Sequence, residues 1–430
     1  MDYTLYEYES LSYHKLNSPV LDPFIDAIEA LNRQHDKVLV EVKRHELRAT
    51  QFVGILHTPY GALNILPKID SGADSEQLAL QNLVTLLCYA YDIPLIELGA
   101  SATQTGRGSW LELLTQLFCQ LLYRELQHGI ERVYVRVEER SPALKGRWLI
   151  EQQLTRSPHI RHAFDVRYDE FSPDTPLNRV FLYVTDILAG MSRAPENRCV
   201  LSEIQATLGA VSLPSHITPD ELSAVTFTRL NERFKPAFHI AQMLIESLTL
   251  VLRNGSTPLR AFVFDMNKLF ELFVAGFLAR HWRQIAGKSH RDFYVQAQMK
   301  GQTTLYLAQD SAGKGVFKLI PDLMLRDSSK RPRVIMDTKY KRLTPETRKL
   351  DISQADVYQM LAYAGGLGCP HILLLYPSNG GVMVERRFTT VTTPPVQLDV
   401  KTINLHQSLA DTRALISDFR AIFAPYLSDY

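Results

Sequence analysis

The chain has 430 residues, 46% of them hydrophobic and 22% charged, which is the composition of an ordinary globular protein. Its formal net charge of +1 excludes a globally basic nucleic-acid binder and leaves only a local basic surface for that task. The four cysteines are scattered and form no C-x-x-C pair, so we expect reduced thiols rather than a zinc or iron–sulfur site. The first residues lack the pattern of a signal peptide, and no apolar run has the length of a membrane helix. A cytoplasmic location is therefore expected.

Residues 1–150 predict a domain that contains β-strands and serves docking. Short apolar or alternating runs bounded by turn residues are typical of strands, and they lie at 37–42, 51–56, 62–67 and 133–138. Apolar residues at helical spacing predict helices at 21–32, 76–91 and 110–128. A basic turn follows at 139–148, and its arginines are either solvated or available to DNA or a protein partner.

Residues 151–255 predict a helical middle region. One helix begins near Leu177, and another is predicted at 236–252, where Asn254 and Gly255 signal its end. The segment 255–258 has the composition of a linker, which places the last domain at 256–430. His159 and His162 are close in sequence, but in a polar loop they are expected to be solvated rather than to hold a metal.

Residues 256–430 predict an α/β domain with a central mixed sheet flanked by helices. A helix is expected at 264–278, with Asp265 as its N-cap, and a second helix at 351–364. Apolar runs at 317–325 and 333–341, joined by a polar basic turn, predict a β-hairpin. A strand at 371–377 and a tail at 405–426 that closes with an amphipathic helix complete the domain.

The predicted hairpin carries the residues with the clearest chemistry. Asp337 and Lys339 are two positions apart, so in a strand their side chains leave the same face, and Asp322 lies on the partner strand. Two carboxylates suit Mg²⁺, a hard cation that prefers oxygen ligands, and an ammonium beside them can stabilise a phosphodiester transition state. The alternative is a surface hairpin with an ordinary ion pair of little energetic value.

Flanking helices offer further candidates for the same site. Glu271 is a lone acid in an otherwise apolar helix, where it is either one more carboxylate for the metal or a solvated outer-face residue. Gln359 and Tyr363 are four residues apart and share a helix face from which they can reach a phosphate or a base, although Tyr363 also suits a core.

These segments resemble two known groupings. Pro321-Asp322 followed by Asp337-Thr338-Lys339 resembles the PD-(D/E)xK nuclease motif. The runs FDMNKLFE at 264–271, DTKYK at 337–341 and DVYQMLAY at 356–363 resemble McrC, the nuclease subunit of McrBC modification-dependent restriction systems. The run at 169–179 is similar to the same family, and the run at 61–69 more loosely so.

The resemblance to McrC implies a Mg²⁺-dependent DNA endonuclease that acts in anti-phage defence at 5-methylcytosine-type sites. It implies a McrB-like AAA+ GTPase hexamer and double-stranded DNA as partners, with GTP bound by the partner and no cofactor bound by this chain except Mg²⁺. Recognition of the modified base is then expected of the partner. The implied catalytic residues are Asp322, Asp337, Lys339, Glu271 and Gln359. The implied metal ligands are Asp322, Asp337, Glu271 and Thr338.

The sequence also bears on two further points: where nucleotide is hydrolysed and which surface binds DNA. It has no G-x-x-x-x-G-K-[ST] phosphate loop, which agrees with nucleotide hydrolysis by another polypeptide. Between 326 and 349, lysines and arginines outnumber acids, so this stretch is the expected DNA surface, or else a solvated turn. Two alternatives stay open: an adaptor that activates an AAA+ ring with a weak or silent nuclease, and a stand-alone repair nuclease.

Overall fold

A computed structural model gives the architecture of the chain. It describes residues 2–15, 21–35, 37–68, 75–94, 110–155, 163–251, 259–287, 293–297, 305–378 and 380–427. The chain divides into two compact units: the first comprises residues 1–110 and 247–430, and the second comprises residues 111–246. The linker predicted at 255–258 and the pair His159 and His162 lie outside the described residues. Within the described ranges, no helix is long and apolar enough to cross a membrane.

The helices are α1 (Leu21–Gln34), α2 (Ser75–Ala90), α3 (Trp110–Leu126), α4 (Ile150–Leu154), α5 (Pro176–Met191), α6 (Pro195–Thr207), α7 (Pro219–Ser223), α8 (Lys235–Ser247), α9 (Met266–Ala286), α10 (Gln354–Leu367) and α11 (Thr412–Leu427). The strands of the first half are β1 (Asp2–Tyr6), β2 (Ser10–Ser12), β3 (Val40–Val42), β4 (Glu46–Ala49), β5 (Phe52–Thr58), β6 (Gly61–Leu66), β7 (Val133–Ser141), β8 (Arg147–Trp148) and β9 (Phe164–Ser172). Those of the second half are β10 (Leu248–Val251), β11 (Leu259–Asp265), β12 (Tyr294–Ala297), β13 (Leu305–Gln309), β14 (Gly315–Leu319), β15 (Leu323–Arg326), β16 (Pro332–Thr338), β17 (His371–Pro377), β18 (Glu385–Thr389) and β19 (Gln397–Ile403).

A sheet of strand order β1-β6-β5-β11-β10 joins the two ends of the first unit. Strand β5 pairs antiparallel with β11, so Gly54 lies opposite Val263 across about two hundred residues of sequence. The two strands approach so closely that a Cβ at Gly54 would lie 2.0 Å from the carbonyl oxygen of Phe262. Apolar residues between Leu5 and Ile65 therefore share a core with Leu259, Ala261 and Val263 of β11. These units do not coincide with the boundaries 1–150, 151–255 and 256–430 predicted from sequence.

The second sheet of this unit has the order β12-β15-β16-β17-β19-β18. Strands β16, β17 and β19 are parallel to one another, whereas β12, β15 and β18 run antiparallel to their neighbours, so the sheet is mixed. Helix α10 packs Met360, Tyr363 and Ala364 into a core with side chains of β16, β17 and β19. Helix α9 contacts β16, and α11 contacts β19 and α9. The predicted mixed α/β class, with a central mixed sheet flanked by helices, is confirmed.

The second unit is helical with a small sheet of order β7-β9-β8. Phe181 of α5 contacts both Phe118 of α3 and Phe234, and these rings form part of the apolar core. In the turn between β7 and β8, Gly146 has a φ of 62°. A Cβ there would lie 2.5 Å from the carbonyl oxygen of Arg167, so the turn requires glycine.

Two predicted segments need correction. The helix predicted at 236–252 ends at Ser247, because residues 248–251 form β10 and complete the sheet beside β11. The first run of the predicted hairpin is two strands, β14 and β15, because Pro321 cannot donate a ladder hydrogen bond and interrupts it. The helix predicted to close the tail is confirmed as α11, although the tail before Thr412 is not helical.

Candidate active site

The hairpin of β15 and β16 brings Asp322 to Asp337, as predicted. Leu323 pairs with Met336, so the two aspartates lie just beyond this pair, at the end of the two strands where Pro321 breaks the ladder. The backbone N–H of Thr338 donates to Oδ2 of Asp322 at 3.1 Å, and its hydroxyl donates to the same oxygen at 3.3 Å. Thr338 therefore fixes the carboxylate of Asp322 from the neighbouring strand.

Asp337 and Lys339 lie side by side, as the two-residue spacing predicts. Nζ of Lys339 is 2.9 Å from Oδ2 of Asp337. Asp337 is buried, with 2% of its surface exposed, while about a quarter of the Lys339 side chain reaches solvent. The Lys339 ammonium therefore balances part of the charge of this buried carboxylate. An ionised carboxylate offers about four acceptor positions on its two oxygens, so Asp337 can bind a further ligand beside Lys339.

Burial and crowding of negative charge perturb all three groups. Burial, followed by the charges of Asp337 and Glu271, raises the pKa of Asp322 to about 6. Burial also raises the pKa of Asp337, with Asp356 and Glu271 adding to the shift and Lys339 opposing it. For Lys339, burial lowers the pKa, but the contact with Asp337 and the charges of Asp356 and Asp322 outweigh it, and the pKa is raised. The site therefore holds more negative than positive charge in a poorly solvated place, which favours binding of a cation.

Glu271 and Gln359 have different positions relative to this centre. Glu271 of α9 is close enough for its charge to raise the pKa of both aspartates. Its carboxylate also accepts a hydrogen bond from Nζ of Lys268 at 2.9 Å, one helical turn away. Gln359 of α10 donates from Nε2 to the hydroxyl of Tyr363 at 2.8 Å. Tyr363 itself packs in the core, the alternative considered for it in the sequence.

Asp356 is a neighbour of the site that sequence reasoning did not single out. It lies in the first turn of α10, its charge raises the pKa of Asp337, and Lys341 is 3.5 Å from its Oδ2. The signal was present, because Asp356 precedes the buried Met360 and Tyr363 by four and seven residues and so shares their inward face. An acid on the buried face of a helix is costly unless it is paired, and here Lys341 is its partner.

The donor set determines which metal the site can hold. Among the described residues, there is no group of three or more histidine, cysteine, aspartate or glutamate side chains that could hold a metal ion together. Mg²⁺ does not need one, because it commonly takes one or two carboxylates and fills its remaining positions with water and substrate phosphate. The carboxylates of Asp322 and Asp337 fit that requirement. Thr338, also predicted as a ligand, holds Asp322 in place through its N–H and hydroxyl.

In this mixed α/β chain, the paired aspartates and the lysine at the end of the hairpin form an acidic, poorly solvated site that suits a divalent cation. Comparison with protein families gives the particular group. Residues 47–377, more than half of the chain, match the family described as McrBC 5-methylcytosine restriction system component. The chain belongs to this family, and the resemblance inferred from the sequence is confirmed.

Two solved structures have a similar fold. One is a refined half-complex from a tetradecameric assembly of Thermococcus gammatolerans McrB AAA+ hexamers with bound McrC. It is 22% identical, covers 99% of this chain and 100% of that chain, and has a TM-score of 0.69. The other, the McrBC complex of the same organism, is 25% identical, covers 66% of this chain and 88% of that chain, and has a TM-score of 0.50. No curated protein matches the chain.

Proposed function

We propose that this chain is the McrC-like endonuclease subunit of a GTP-dependent, modification-dependent restriction system. In this proposal it cuts double-stranded DNA with Mg²⁺ at 5-methylcytosine-type sites, to which a McrB-like AAA+ GTPase hexamer directs it. The observation that carries the proposal is the pairing of Asp322, Asp337 and Lys339 at one end of a buried hairpin. An incidental surface ion pair would not place its carboxylate inside a buried strand, as Asp337 is placed.

The residues divide the chemistry among themselves. Asp322 and Asp337 would hold Mg²⁺, which neutralises charge on the scissile phosphate and makes a bound water more acidic. Thr338 donates two hydrogen bonds to Asp322, which fix the orientation of its carboxylate and favour the ionised form. Lys339, partly exposed, presents its ammonium to the phosphate that enters beside Asp337. Glu271 adds negative charge that strengthens cation binding.

The partner supplies what this chain lacks. The sequence of this chain contains no phosphate loop, so GTP is expected to bind to the McrB-like ring alone. The related McrC is described as bound to McrB AAA+ hexamers, which supports the same partner here. We expect the chain to stimulate the GTP hydrolysis of that ring, as the resemblance implies.

The small sheet of the second unit is the surface we assign to this partner. Tyr134 of β7 and Phe171 of β9 are large aromatic side chains, at least half exposed, whose ring centroids are 4.8 Å apart. Trp148 of β8 is also exposed, but it pairs with Val166 and lies away from these two rings. Clustered exposed aromatic residues mark protein-binding surfaces, where they supply rigid contact area. Strand β7 and the basic turn fall within the segment 1–150 that the sequence assigned to docking, whereas β9 lies beyond it.

The experiment is DNA cleavage by the purified chain with its McrB-like partner, GTP and Mg²⁺, on methylated and unmethylated plasmid. We expect linear product from methylated plasmid only. The variant Lys339→Ala should lack cleavage yet stimulate GTP hydrolysis normally, whereas a control, Glu46→Ala, removes the carboxylate of an exposed ion pair with Lys43 and should cut normally. Full cleavage by Lys339→Ala would contradict the assignment. Normal GTPase stimulation with no cleavage by the wild type would instead favour the adaptor.

A further inference from the structure

A cavity of about 350 Å³ lies beside the candidate active site, in the same unit of the chain. Its lining includes Tyr340, Ser378 and Leu405, which follow the ends of β16, β17 and β19. Because these three strands are parallel and adjacent, their carboxyl ends open at one edge of the sheet, the place where α/β folds bind ligands. Tyr340 is the residue after Lys339, so the cavity adjoins the proposed path of the DNA strand.

The back of this cavity holds a buried acid that is only half satisfied. Glu7 has 3% of its surface exposed, and its Oε1 accepts hydrogen bonds from the Tyr340 hydroxyl at 2.7 Å and the Lys68 N–H at 2.9 Å. Its Oε2 is buried with no hydrogen-bond partner among the described residues. Nδ1 of His406, a second lining residue, is likewise buried without one. Two polar atoms without partners in one cavity indicate a ligand that supplies the missing hydrogen bonds.

The rest of the lining is cationic and aromatic. Lys68, Lys341 and Arg342 line the cavity, and the ring of Tyr8, half exposed, lies at it as well. Lys341 is engaged by Asp356 at 3.5 Å, which leaves Lys68 and Arg342 as the cations best able to take an anion. A bare phosphate would be attracted by these cations but repelled by Glu7. A ligand that joins an anion to a hydrogen-bond donor and a flat ring satisfies the whole lining.

We propose that this cavity receives one unpaired nucleotide of the DNA strand next to the scissile phosphate. The phosphate lies against Lys68 and Arg342, the base stacks on Tyr8, and an N–H of its Watson–Crick edge donates to Oε2 of Glu7. A base pair does not fit, because the acceptor is at the back of a cavity that holds little more than one small molecule. This inference rests on the proposed nuclease function, and it adds a strand-positioning subsite to it.

The test uses the full chain without partner and with a metal chelator, so that binding is measured apart from cleavage. Three labelled duplexes differ at one position, which is fully paired, mismatched, or abasic in both strands so that no base is present to enter the cavity. We expect the wild type to bind the mismatched duplex about tenfold more tightly than the other two, as loss of one stacked base implies. Equal affinity for all three duplexes, or no binding, would overturn the proposal.

Two variants separate the base from the phosphate. Glu7→Gln keeps an oxygen for Tyr340 and Lys68 but places an amide donor where Oε2 was, so the tenfold preference should vanish while the melting temperature is kept. If the only role of Glu7 is to accept the hydrogen bond from Tyr340, this variant will keep the preference for the mismatched duplex, and the proposal fails. Arg342→Ala should weaken binding to all three duplexes and lower the salt slope by about one. Arg33→Ala, an exposed cation on α1 outside the cavity, is the matched control and should change neither.

Two further outcomes locate the cause of a failure. Tight binding of a free deoxynucleoside monophosphate, with no preference among the duplexes, would assign the cavity to a free nucleotide and overturn the DNA subsite. If the wild type prefers the mismatched duplex but does not cut with its partner and Mg²⁺, the subsite is kept and the nuclease function is the part that fails.

Discussion

Two sheets of this protein differ in which of their residues are buried and which are exposed to solvent. In β16 of the first unit, the residues from Val334 to Thr338 are all buried, and the one charged residue among them, Asp337, is paired with Lys339. In β7 of the second unit, the first residues are exposed, including Tyr134 at 75% of its surface. A charge within a buried strand costs free energy that only a bound ion, a partner charge or a function offsets. Aromatic rings on an exposed strand cost solubility, which only a binding partner offsets.

We therefore propose that the buried sheet carries the chemistry and the exposed sheet the recognition. Cutting this chain into terminal fragments is a poor test of this division. Strand β5 pairs with β11, so a fragment of residues 1–255 would leave a central sheet without one of its strands. Point variants in the full chain therefore serve better, and each of the following predictions changes one side of the comparison.

The largest effect is expected at the buried carboxylate. Asp337→Asn should reduce DNA cleavage by about 10²–10³-fold or more, because it removes the charge of a proposed metal ligand. Since burial raises the pKa of Asp337, its ionised form destabilises the fold, and the variant should keep or raise the melting temperature. Cleavage assays with partner and Mg²⁺, together with thermal unfolding, test both parts.

A variant that lost cleavage only because it unfolds would break this prediction. The control Glu46→Ala, at an exposed ion pair, should leave both cleavage and unfolding unchanged within about 0.5 kcal/mol. Wild-type cleavage by Asp337→Asn would remove the buried sheet from the chemistry altogether.

The next effect is expected at the exposed sheet. Tyr134 and Phe171 stack across β7 and β9 with ring centroids 4.8 Å apart. Replacing both with serine should weaken binding of the McrB-like ring by about 30-fold, if the two rings together contribute about 2 kcal/mol to the interface. Loss of their cross-strand contact should cost only about 0.2–1 kcal/mol of stability. Binding can be followed by interferometry with the immobilised ring.

The matched control for this surface is Leu213→Ser, which removes an exposed apolar side chain of the same unit outside the small sheet. It should bind the ring as the wild type does. Equal loss in the control and the double variant would mean that general surface apolarity, rather than this sheet, governs association.

The sequence predicted the local parts of this picture and missed the distant ones. The helix N-capped by Asp265, the β15–β16 hairpin and the shared face of Asp337 and Lys339 follow from periods of 3.6 and 2 within short windows. The pairing of β5 with β11 joins apolar runs that are far apart, and nothing in either run names its partner. The same limit hid Glu7, whose partner Tyr340 is 333 positions away.

The third prediction concerns pH. The pKa of Asp322 is raised to about 6 in the folded protein from an ordinary value near 3.8, so the group stabilises the fold most at pH below 3.8. That contribution is lost as the pH rises through 6. Cleavage should follow the opposite course, because a proposed metal ligand must be ionised, and it should fall by about tenfold for each unit below pH 6.

Asp322→Asn makes the pH prediction decisive. This variant should lose the part of the pH dependence of unfolding that lies between about 4 and 6, measured against the wild type in the same buffers. An identical pH dependence in both proteins would show that Asp322 titrates normally and that its burial does not prepare it for a cation.

The smallest effect is expected on the Mg²⁺ requirement, and it distinguishes the roles of Glu271 and Asp356, the two acids near Asp322 and Asp337. Glu271→Gln removes a charge that raises the pKa of both Asp322 and Asp337, whereas Asp356→Asn removes one that acts on Asp337 and pairs with Lys341. If Glu271 helps to hold the metal, its variant should need more Mg²⁺ for half-maximal cleavage, by about three- to tenfold, which is the effect of a partly screened charge near a site. Asp356→Asn should shift the Mg²⁺ requirement less, since it also frees Lys341 to contact DNA. Mg²⁺ titrations of the cleavage rate compare the two variants directly. If Asp356→Asn raises the Mg²⁺ requirement more than Glu271→Gln does, then Asp356 of α10, and not Glu271 of α9, is the third acid that helps to hold the cation.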